Sequence, residues 1–416
     1  MKAKATMPSV KSIELELSSI KNFTELKKFI CKKFEIEPKL TNLILDGKKL
    51  DEKTSIEEIQ KSSKEILVDY LWARHLILWG KEGQSKIKNA NVLLAGAGAL
   101  SNEAAKNLAM LGVKNLTIVD YDKVELSNTS RMIFFESKDL GKFKAESLAN
   151  NLANKFPYVK VNFFNTRLEE LPISVYLNAD VIVSGLDNLV SRMFLSSICT
   201  RYGIPLVDAG LIGHQARVQV YLPPDWPCPI CQLSSSKYGE LVNLKNPCDP
   251  QIEENKIPML TTTSSLASSI QAHETMKLIL GYEDYLKTHR WPESIGKPLE
   301  GIFLIDLKYN RYSIVDLKKN EKCIVCGKDG IGKDKVSRIE LKINKEIDYS
   351  SLKELIESKI NEKMEILHLF EIDKNKLKKM DKNMLKIKGL KPGTLIQVIL
   401  KNKKEEYKEV VARIIK

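Results

Sequence analysis

Two groups of residues in this 416-residue chain have types and spacings suited to chemistry. In the first, an apolar run, Val92-Leu93-Leu94-Ala95, leads into Gly96-Ala97-Gly98 and then a helical pattern through Leu111. Glycines at such a turn let the backbone approach a phosphate. The helix that follows offers unpaired N–H groups and the positive end of its dipole. A second apolar run, residues 116–119, ends in Asp120, near the distance at which an acidic residue meets a ribose hydroxyl. The second group is cysteine. Cys228-Pro-Ile-Cys231 and Cys323-Ile-Val-Cys326 form two CxxC pairs. Each pair fits one edge of a tetrahedral site, and together they complete a closed four-cysteine zinc centre with no open coordination position, hence a structural one. A redox role for one pair would leave the other unexplained.

Three cysteines remain. Cys31 and Cys199 fall in helical patterns and read as packed core residues, whereas Cys248 lies in a polar loop, Asn246-Pro-Cys-Asp-Pro250. An odd total of seven cysteines, four of them in CxxC pairs, points to metal and thiol chemistry in a reducing compartment such as the cytoplasm. The histidines, including His75 and His214, receive no role.

Beyond Asp120 the pattern Asp120-Tyr-Asp-x-Val-x-Leu-Ser-Asn128-x-x-Arg131 continues into Gly141-Lys-Phe-Lys144-Ala-Glu146 and Gly185-Leu-Asp187-Asn188 with Arg192. A dehydrogenase has no reason to place Asn and Arg there. These motifs, covering roughly residues 70 to 326, resemble the ubiquitin-activating enzymes and their relatives that adenylate molybdopterin-synthase and thiamine-pathway sulfur carriers. The resemblance implies ATP and Mg²⁺ as cofactors. Gly96 and Gly98 would border the nucleotide and Asp120 the ribose. Asn128, Arg131 and Lys144 would contact phosphates, and Asp187, beside Asn188, would hold Mg²⁺. It also implies a homodimer, because in the family an arginine of the N-terminal helix, here Arg74, reaches the nucleotide of the partner subunit. Relatives that form a thioester carry their nucleophile in the region of Cys248, although usually several residues closer to the next helix. One departure is Ser101, where the family usually has a third glycine, which implies a slightly looser fit of helix on strand.

Composition narrows the class. Apolar residues make up 43% of the chain, ample for a core, and no apolar run approaches the length of a membrane span. The net charge is +13, of which about eight falls in residues 321–416. Those lysines are interleaved with Glu, Ile and Leu without a nucleic-acid motif, so they read as a solvated surface and not a nucleic-acid site.

The elements that must position these residues follow. Residues 1–8 read as a flexible leader. Within a domain of residues 1–70, the chain from Lys11 to Tyr70 reads strand, helix, strand and an Asp46-Gly47 turn; residues 40–71 closely resemble the second half of ubiquitin, but the domain ends in Val68-Asp69-Tyr70 without Gly-Gly. That makes the β-grasp domain a docking or regulatory module and not a substrate. Residues 71–330 read as a connecting helix and then an α/β, Rossmann-like adenylation domain with a mostly parallel sheet. Residues 331–416 read as a small α+β, ubiquitin-fold-like domain of strand, helix and hairpin. Together these imply activation of a ubiquitin-like modifier ending in Gly-Gly, thioester formation on Cys248, and transfer to a conjugating enzyme docked on the C-terminal domain. Two rivals stand beside it: a sulfur-carrier adenylyltransferase without a thioester step, and a non-catalytic scaffold subunit.

Overall fold

The computed structural model describes residues 2–62, 65–233, 258–333, 336–343, 348–373, 376–380, 393–401 and 407–415. The chain divides into two units, residues 1–88 with 292–295, and residues 89–291 with 296–416. Among the described residues no helix is long and apolar enough to cross a membrane.

In the first unit, β1 (Lys2–Met7), β2 (Lys11–Glu16), β3 (Thr41–Leu45), β4 (Lys48–Lys49) and β5 (Glu65–Tyr70) form a sheet in the order β2-β1-β5-β3-β4. The β1–β5 pair is parallel and the others antiparallel, which is the expected β-grasp arrangement. Helix α1 (Phe23–Phe34) buries Phe23, Leu26, Ile30, Cys31 and Phe34 along one stripe. Asn22 caps it, accepting from the Glu25 N–H at 2.9 Å. Asp46 and Gly47 both adopt positive φ, as a two-residue hairpin between β3 and β4 requires. A short helix, α2 (Ile56–Lys61), precedes β5. The expectation of a flexible leader over residues 1–8 is corrected here. Residues 2–7 are β1, a central strand with Ala3, Ala5 and Met7 buried. Alanine and lysine carry little strand propensity, and the parallel partner β5 lies some sixty residues away, so the local signal was weak. The connecting helix appears as α3 (Ala73–Asn89), bent at Gly80, where φ is 66°.

The second unit carries an eight-stranded sheet built from β6 (Asn91–Ala95), β7 (Asn115–Val119), β8 (Lys160–Phe164), β9 (Val181–Ser184), β10 (Leu206–Ile212), β11 (Gln215–Tyr221), β12 (Ile302–Asp306) and β13 (Arg311–Val315). The order is β13-β12-β11-β10-β9-β6-β7-β8, parallel from β10 to β8 and antiparallel beyond. Helices α4 (Ala99–Leu111), α5 (Lys144–Lys155), α6 (Ile173–Asn178), α7 (Leu189–Tyr202) and α8 (Thr261–Thr288) accompany it. Strand β6 lies between β7 and β9, so the chain order reverses there. In an open parallel sheet that switch point opens a crevice beyond the carboxyl ends of the strands.

Residues 337–415 add β14 (Ser337–Lys342), α9 (Tyr349–Ile360), β15 (Glu365–Asp373), β16 (Lys376–Lys379), β17 (Leu395–Lys401) and β18 (Tyr407–Ile415). Their sheet runs β14-β18-β17-β15-β16 over a core that includes Leu352, Ile356, Ile366 and Val398. The strand, helix and closing hairpin match the sequence reading. The antiparallel β15–β16 pair is an addition, and a single strand precedes the helix where the first unit has two. Arg413 and Arg338 fasten this sheet to the end of α6. The Arg413 guanidinium meets Asp180 at 2.8 Å, and Arg338 donates to the Leu177 and Ala179 carbonyls at 2.8 and 2.9 Å.

Candidate active site and metal centre

The turn after β6 is shaped from both sides. Gly96 adopts a φ of 96° and donates its N–H to the Val119 carbonyl at 2.8 Å, so a β-carbon there would be strained. Gly98 is the N-cap of α4 at an ordinary φ of −75°, and a β-carbon on it would meet no protein atom within 4 Å. The open space beside Gly98 is therefore room for something other than protein. Asp120, at the end of β7, closes the turn: its carboxylate accepts from the Ala97 N–H at 2.6 Å and the Asp122 N–H at 2.8 Å. Asn102, fully buried on α4, donates to the Ala97 and Gly98 carbonyls at 2.9 and 3.1 Å and accepts from the Phe134 N–H at 3.2 Å. It thus ties the glycine turn to the segment just after Arg131.

Ser101 fits without a third glycine because the facing residue supplies the space. A β-carbon on Gly185 would stand 3.0 Å from the Leu100 Cβ and 3.0 Å from the Ser101 Oγ. The close approach of helix and strand end is kept, with the glycine on the opposite partner.

Lys144, in the first turn of α5, sits among three carboxylates. Its ammonium meets Asp122 at 2.8 Å with only 14% of the side chain exposed. Burial alone would lower it, but Asp120, Asp122 and Asp187 outweigh that and hold it above the ordinary lysine range. Burial in turn pushes the Asp120 carboxyl up to about 6, against the pull of Lys144. One ammonium among three carboxylates leaves surplus oxygen ligands, a donor set that suits a hard divalent cation such as Mg²⁺. Asp122 was not singled out in the sequence. Its signal was the Asp120-Tyr-Asp122 spacing, which puts both carboxylates on one turn.

Asn128 and Arg131 occupy the 3₁₀ turn at Leu126–Ser130 and its end. Asn128 is buried, and its side-chain oxygen accepts from the Glu125 N–H at 2.9 Å. Arg131 donates through Nη1 to the Ser127 carbonyl at 2.6 Å, while its Nε is enclosed with no hydrogen-bond partner.

Asp187 and Asn188 follow β9 and are exposed. Asn188 caps α7, accepting from the Ser191 N–H at 2.8 Å, and its amide donates to Asp187 at 3.3 Å. Beneath them lies a buried ionic network. Asp208, fully buried, accepts from the Ser184 hydroxyl at 2.9 Å, Arg192 at 3.0 Å and Arg217 at 2.9 Å. Arg192 also donates to the Leu186 carbonyl at 2.7 Å, fixing the loop that carries Asp187. Gln271 of α8 donates to the Ser184 and Val207 carbonyls at 2.8 and 3.1 Å, tying α8 to the ends of β9 and β10.

The four paired cysteines converge, buried, with all their sulfurs within 4.8 Å of one another. Sulfur separations of 3.7 Å for Cys228–Cys323, 3.8 Å for Cys228–Cys231 and 3.3 Å for Cys231–Cys326 bracket closely packed ligands. A tetrahedron with Zn–S bonds of about 2.3 Å has edges of about 3.8 Å, so the geometry fits a zinc ion. Gly327 makes the second knuckle possible, since a β-carbon there would fall 2.4 Å from the Cys323 carbonyl. The cluster packs into the same core as Cys199, Leu206 and Tyr221.

Arg74 is exposed on α3 of the first unit, and Cys248 lies outside the described residues. Cys31 and Cys199 are buried, and His214 is exposed in the β10–β11 turn.

The ThiF family model matches residues 72–325, and the Ubiquitin family model matches residues 5–69. The chain is similar to the SAMP-activating enzyme E1 of Haloferax volcanii, with 30% identity over 270 residues that cover 62% of this chain and 89% of that protein. It is similar to Adenylyltransferase and sulfurtransferase MOCS3 of Caenorhabditis briggsae, at 28% identity over 64% of this chain, but spans only 60% of that protein's length. Molybdopterin-synthase adenylyltransferase of Escherichia coli matches at 28% identity over 61% of this chain and 94% of its own length. Among solved structures, E. coli MccB with ATP overlaps at a TM-score of 0.48 and 21% identity, covering 62% of this chain and 75% of that one, too loosely to add to these.

Proposed function

This chain belongs to the ThiF family, and we propose that it uses ATP to adenylate the C-terminal glycine of a ubiquitin-like or sulfur-carrier protein ending in Gly-Gly. The observation that carries this reading is the grouping of Lys144 with Asp120, Asp122 and Asp187. That set supplies a cationic donor and surplus carboxylates, as a metal-bound triphosphate needs.

In this reading Gly96 and Gly98 give the phosphates access to backbone N–H groups, and Asp120 accepts from the ribose. Asn128, Arg131 and Lys144 hold the phosphates in line, so that positioning and electrostatics supply the rate. Asp187, with Asp122, would hold Mg²⁺, which neutralises phosphate charge when bound. Arg192 and Asp208 keep the Asp187 loop in place. The carboxylate oxygen of the carrier attacks the α-phosphorus, the bond to the β-phosphate oxygen breaks, and pyrophosphate leaves. The four cysteines would hold a structural zinc. A homodimer would bring Arg74 of one subunit to the nucleotide of the other.

The reading extends to a second step. The Cys248 thiolate would attack the acyl-adenylate carbon and expel AMP, and the thioester would pass to a conjugating enzyme docked on residues 331–416. The test is to incubate the full chain with ATP, Mg²⁺ and carrier proteins ending in Gly-Gly, following pyrophosphate exchange and non-reducing gels. Carrier-dependent exchange supports adenylation, and a thiol-sensitive adduct lost in Cys248→Ala supports the thioester. Exchange without the adduct would leave the sulfur-carrier chemistry, and no exchange with any carrier would sink the reading.

A further inference from the structure

The chain passes from the last strand of the β-grasp sheet to Arg74 with no slack. Tyr70 ends β5, and the pairing runs one residue further, the Leu71 N–H donating to the Leu40 carbonyl at 3.0 Å. Trp72 is fully buried, with its ring centre 5.8 Å from that of Tyr70 and nearly at right angles to it. The Trp72 carbonyl accepts from the His75 and Leu76 N–H groups at 3.0 and 3.1 Å, which starts α3 around Arg74.

One carboxylate then holds both ends of the helix. Glu37 accepts from the Tyr70 hydroxyl at 2.8 Å through Oε2 and pairs with the Lys88 ammonium at 3.0 Å through Oε1. The Lys88 and Glu37 side chains are only 17% and 29% exposed, so water screens this pair poorly. A straight helix of 17 residues would run about 25 Å and carry Lys88 away from a group bonded to Tyr70. The bend at Gly80 brings it back, with a φ of 66° and a ψ of −173° that glycine alone adopts readily. A second pair, Lys81 to Glu35 at 3.3 Å, fastens the residue just after the bend. Arg74, Ile77 and Leu78, spaced at i, i+3 and i+4, share the exposed face of the first half.

We propose that this clasp makes the β-grasp unit the mount of Arg74, with Glu37 as a positioning residue that acts through α3 on the nucleotide of a second copy of the chain. The inference rests on the reading above in which Arg74 serves the partner subunit's site. It gives the β-grasp unit a part in the adenylation machinery, beyond the docking or regulatory role read from its sequence. A productive contact must be held to within about 0.5 Å, so releasing either end of α3 weakens it without touching the arginine itself.

Heterodimers purified through two different tags test it, with ATP and Mg²⁺ as the probe and calorimetry as the readout. One chain carries Arg74→Ala and the other Lys144→Ala. Each dimer then keeps one complete site, built from Lys144 of the first chain and Arg74 of the second. That site should bind ATP as tightly as the unaltered dimer, while either homodimer is weakened about 10- to 100-fold. Glu37→Ala in the chain that lends Arg74 should weaken the complete site about tenfold. In the other chain it should leave the site within about twofold. Glu37→Gln keeps an acceptor for Tyr70 and loses the charge that holds Lys88. It should show the same asymmetry at smaller size, and it guards against a folding defect. Equal losses in the two placements, or no loss in either, overturn the mount and leave adenylation standing. A heterodimer that binds no better than its homodimers removes Arg74 from the partner's site and overturns the mount as well. An unaltered chain that binds no ATP refutes the adenylation reading too.

Discussion

Protonation of Asp120 is expected to set the acid limit of nucleotide binding. Without nucleotide its carboxyl stands near 6, because burial outweighs the Lys144 charge and two backbone N–H bonds. Ribose hydroxyls donate to the ionised form. The ionised fraction falls from about 90% at pH 7 to about 10% at pH 5, so affinity should drop about tenfold across that interval. The same displacement acts with opposite sign on the stability of the unliganded chain. The folded value lies above the ordinary 3.8, so the folded state binds this proton more tightly. The stabilising contribution is fully present below about pH 3.8 and is lost as pH rises through about 6. Its full size is about 3 kcal/mol, of which about 1.3 kcal/mol is recovered between pH 7 and pH 5. Acid should therefore strengthen the empty fold at this site while it weakens the complex.

The assay is calorimetric titration of ATP with Mg²⁺ from pH 5 to pH 8, on the unaltered chain and on Asp120→Asn. The asparagine does not titrate, so the variant isolates the nucleotide's own protonation, and subtracting it leaves the contribution of Asp120. The variant should bind more weakly at pH 7 and lose no further affinity beyond the nucleotide's share. Affinity that holds level down to pH 5, or an identical decline in both chains, would refute the assignment of the ribose to Asp120.

Metal analysis should find one zinc per chain. Cys323→Ala, by opening the site, should cost at least about 3 kcal/mol, or about 10 °C of melting temperature, and an unchanged melting curve would count against a structural metal. Lys144→Ala should slow pyrophosphate exchange by about 10²- to 10³-fold and raise the pH midpoint of any residual nucleotide binding, because Lys144 is the charge that pulls Asp120 down. Asp208→Asn leaves Arg192 and Arg217 sharing a neutral amide, at a cost of about 3–5 kcal/mol in denaturant unfolding; a loss below about 1 kcal/mol would show the network to be dispensable. Gly185→Ala should cost about 1–3 kcal/mol by overpacking, and adding Ser101→Gly should recover only part of it, since the Leu100 Cβ is equally close.

The folds legible in the sequence were those whose signals are local. β6, the Gly96–Gly98 turn and α4 are contiguous, and the Asp46-Gly47 hairpin is written in two residues. Strands β6 and β9 of the large sheet announced themselves as short apolar runs, because their residues are buried almost throughout. β1 escaped because its justification is distant: alternating Ala3, Ala5 and Met7 become a central strand only when β5 arrives beside them. The added β15–β16 pair escaped for a related reason. Its register partners include Lys378 and Lys379, and an edge strand rich in lysine resists edge pairing but looks like a solvated loop in sequence.

The candidate site divides along the same line. Asp120, Asn128, Arg131, Lys144 and Asp187 stand at spacings that carry their own meaning, whereas Asn102 and Asp208 act through partners far along the chain. Asn102 looks like an ordinary helical asparagine until its amide is found holding Ala97 and Gly98 on one side and Phe134 on the other. Asp208 reads as a polar interruption of a strand until Arg192 and Arg217 meet it. Ser101 is the sharpest case. Judged alone, it is a flaw in a glycine pattern that loosens the packing of helix on strand. Gly185 removes the flaw, because close approach needs one of two facing residues to lack a side chain and is indifferent to which. A motif read along one segment records only half of such a contact, and its apparent exceptions are resolved by the residue across the gap.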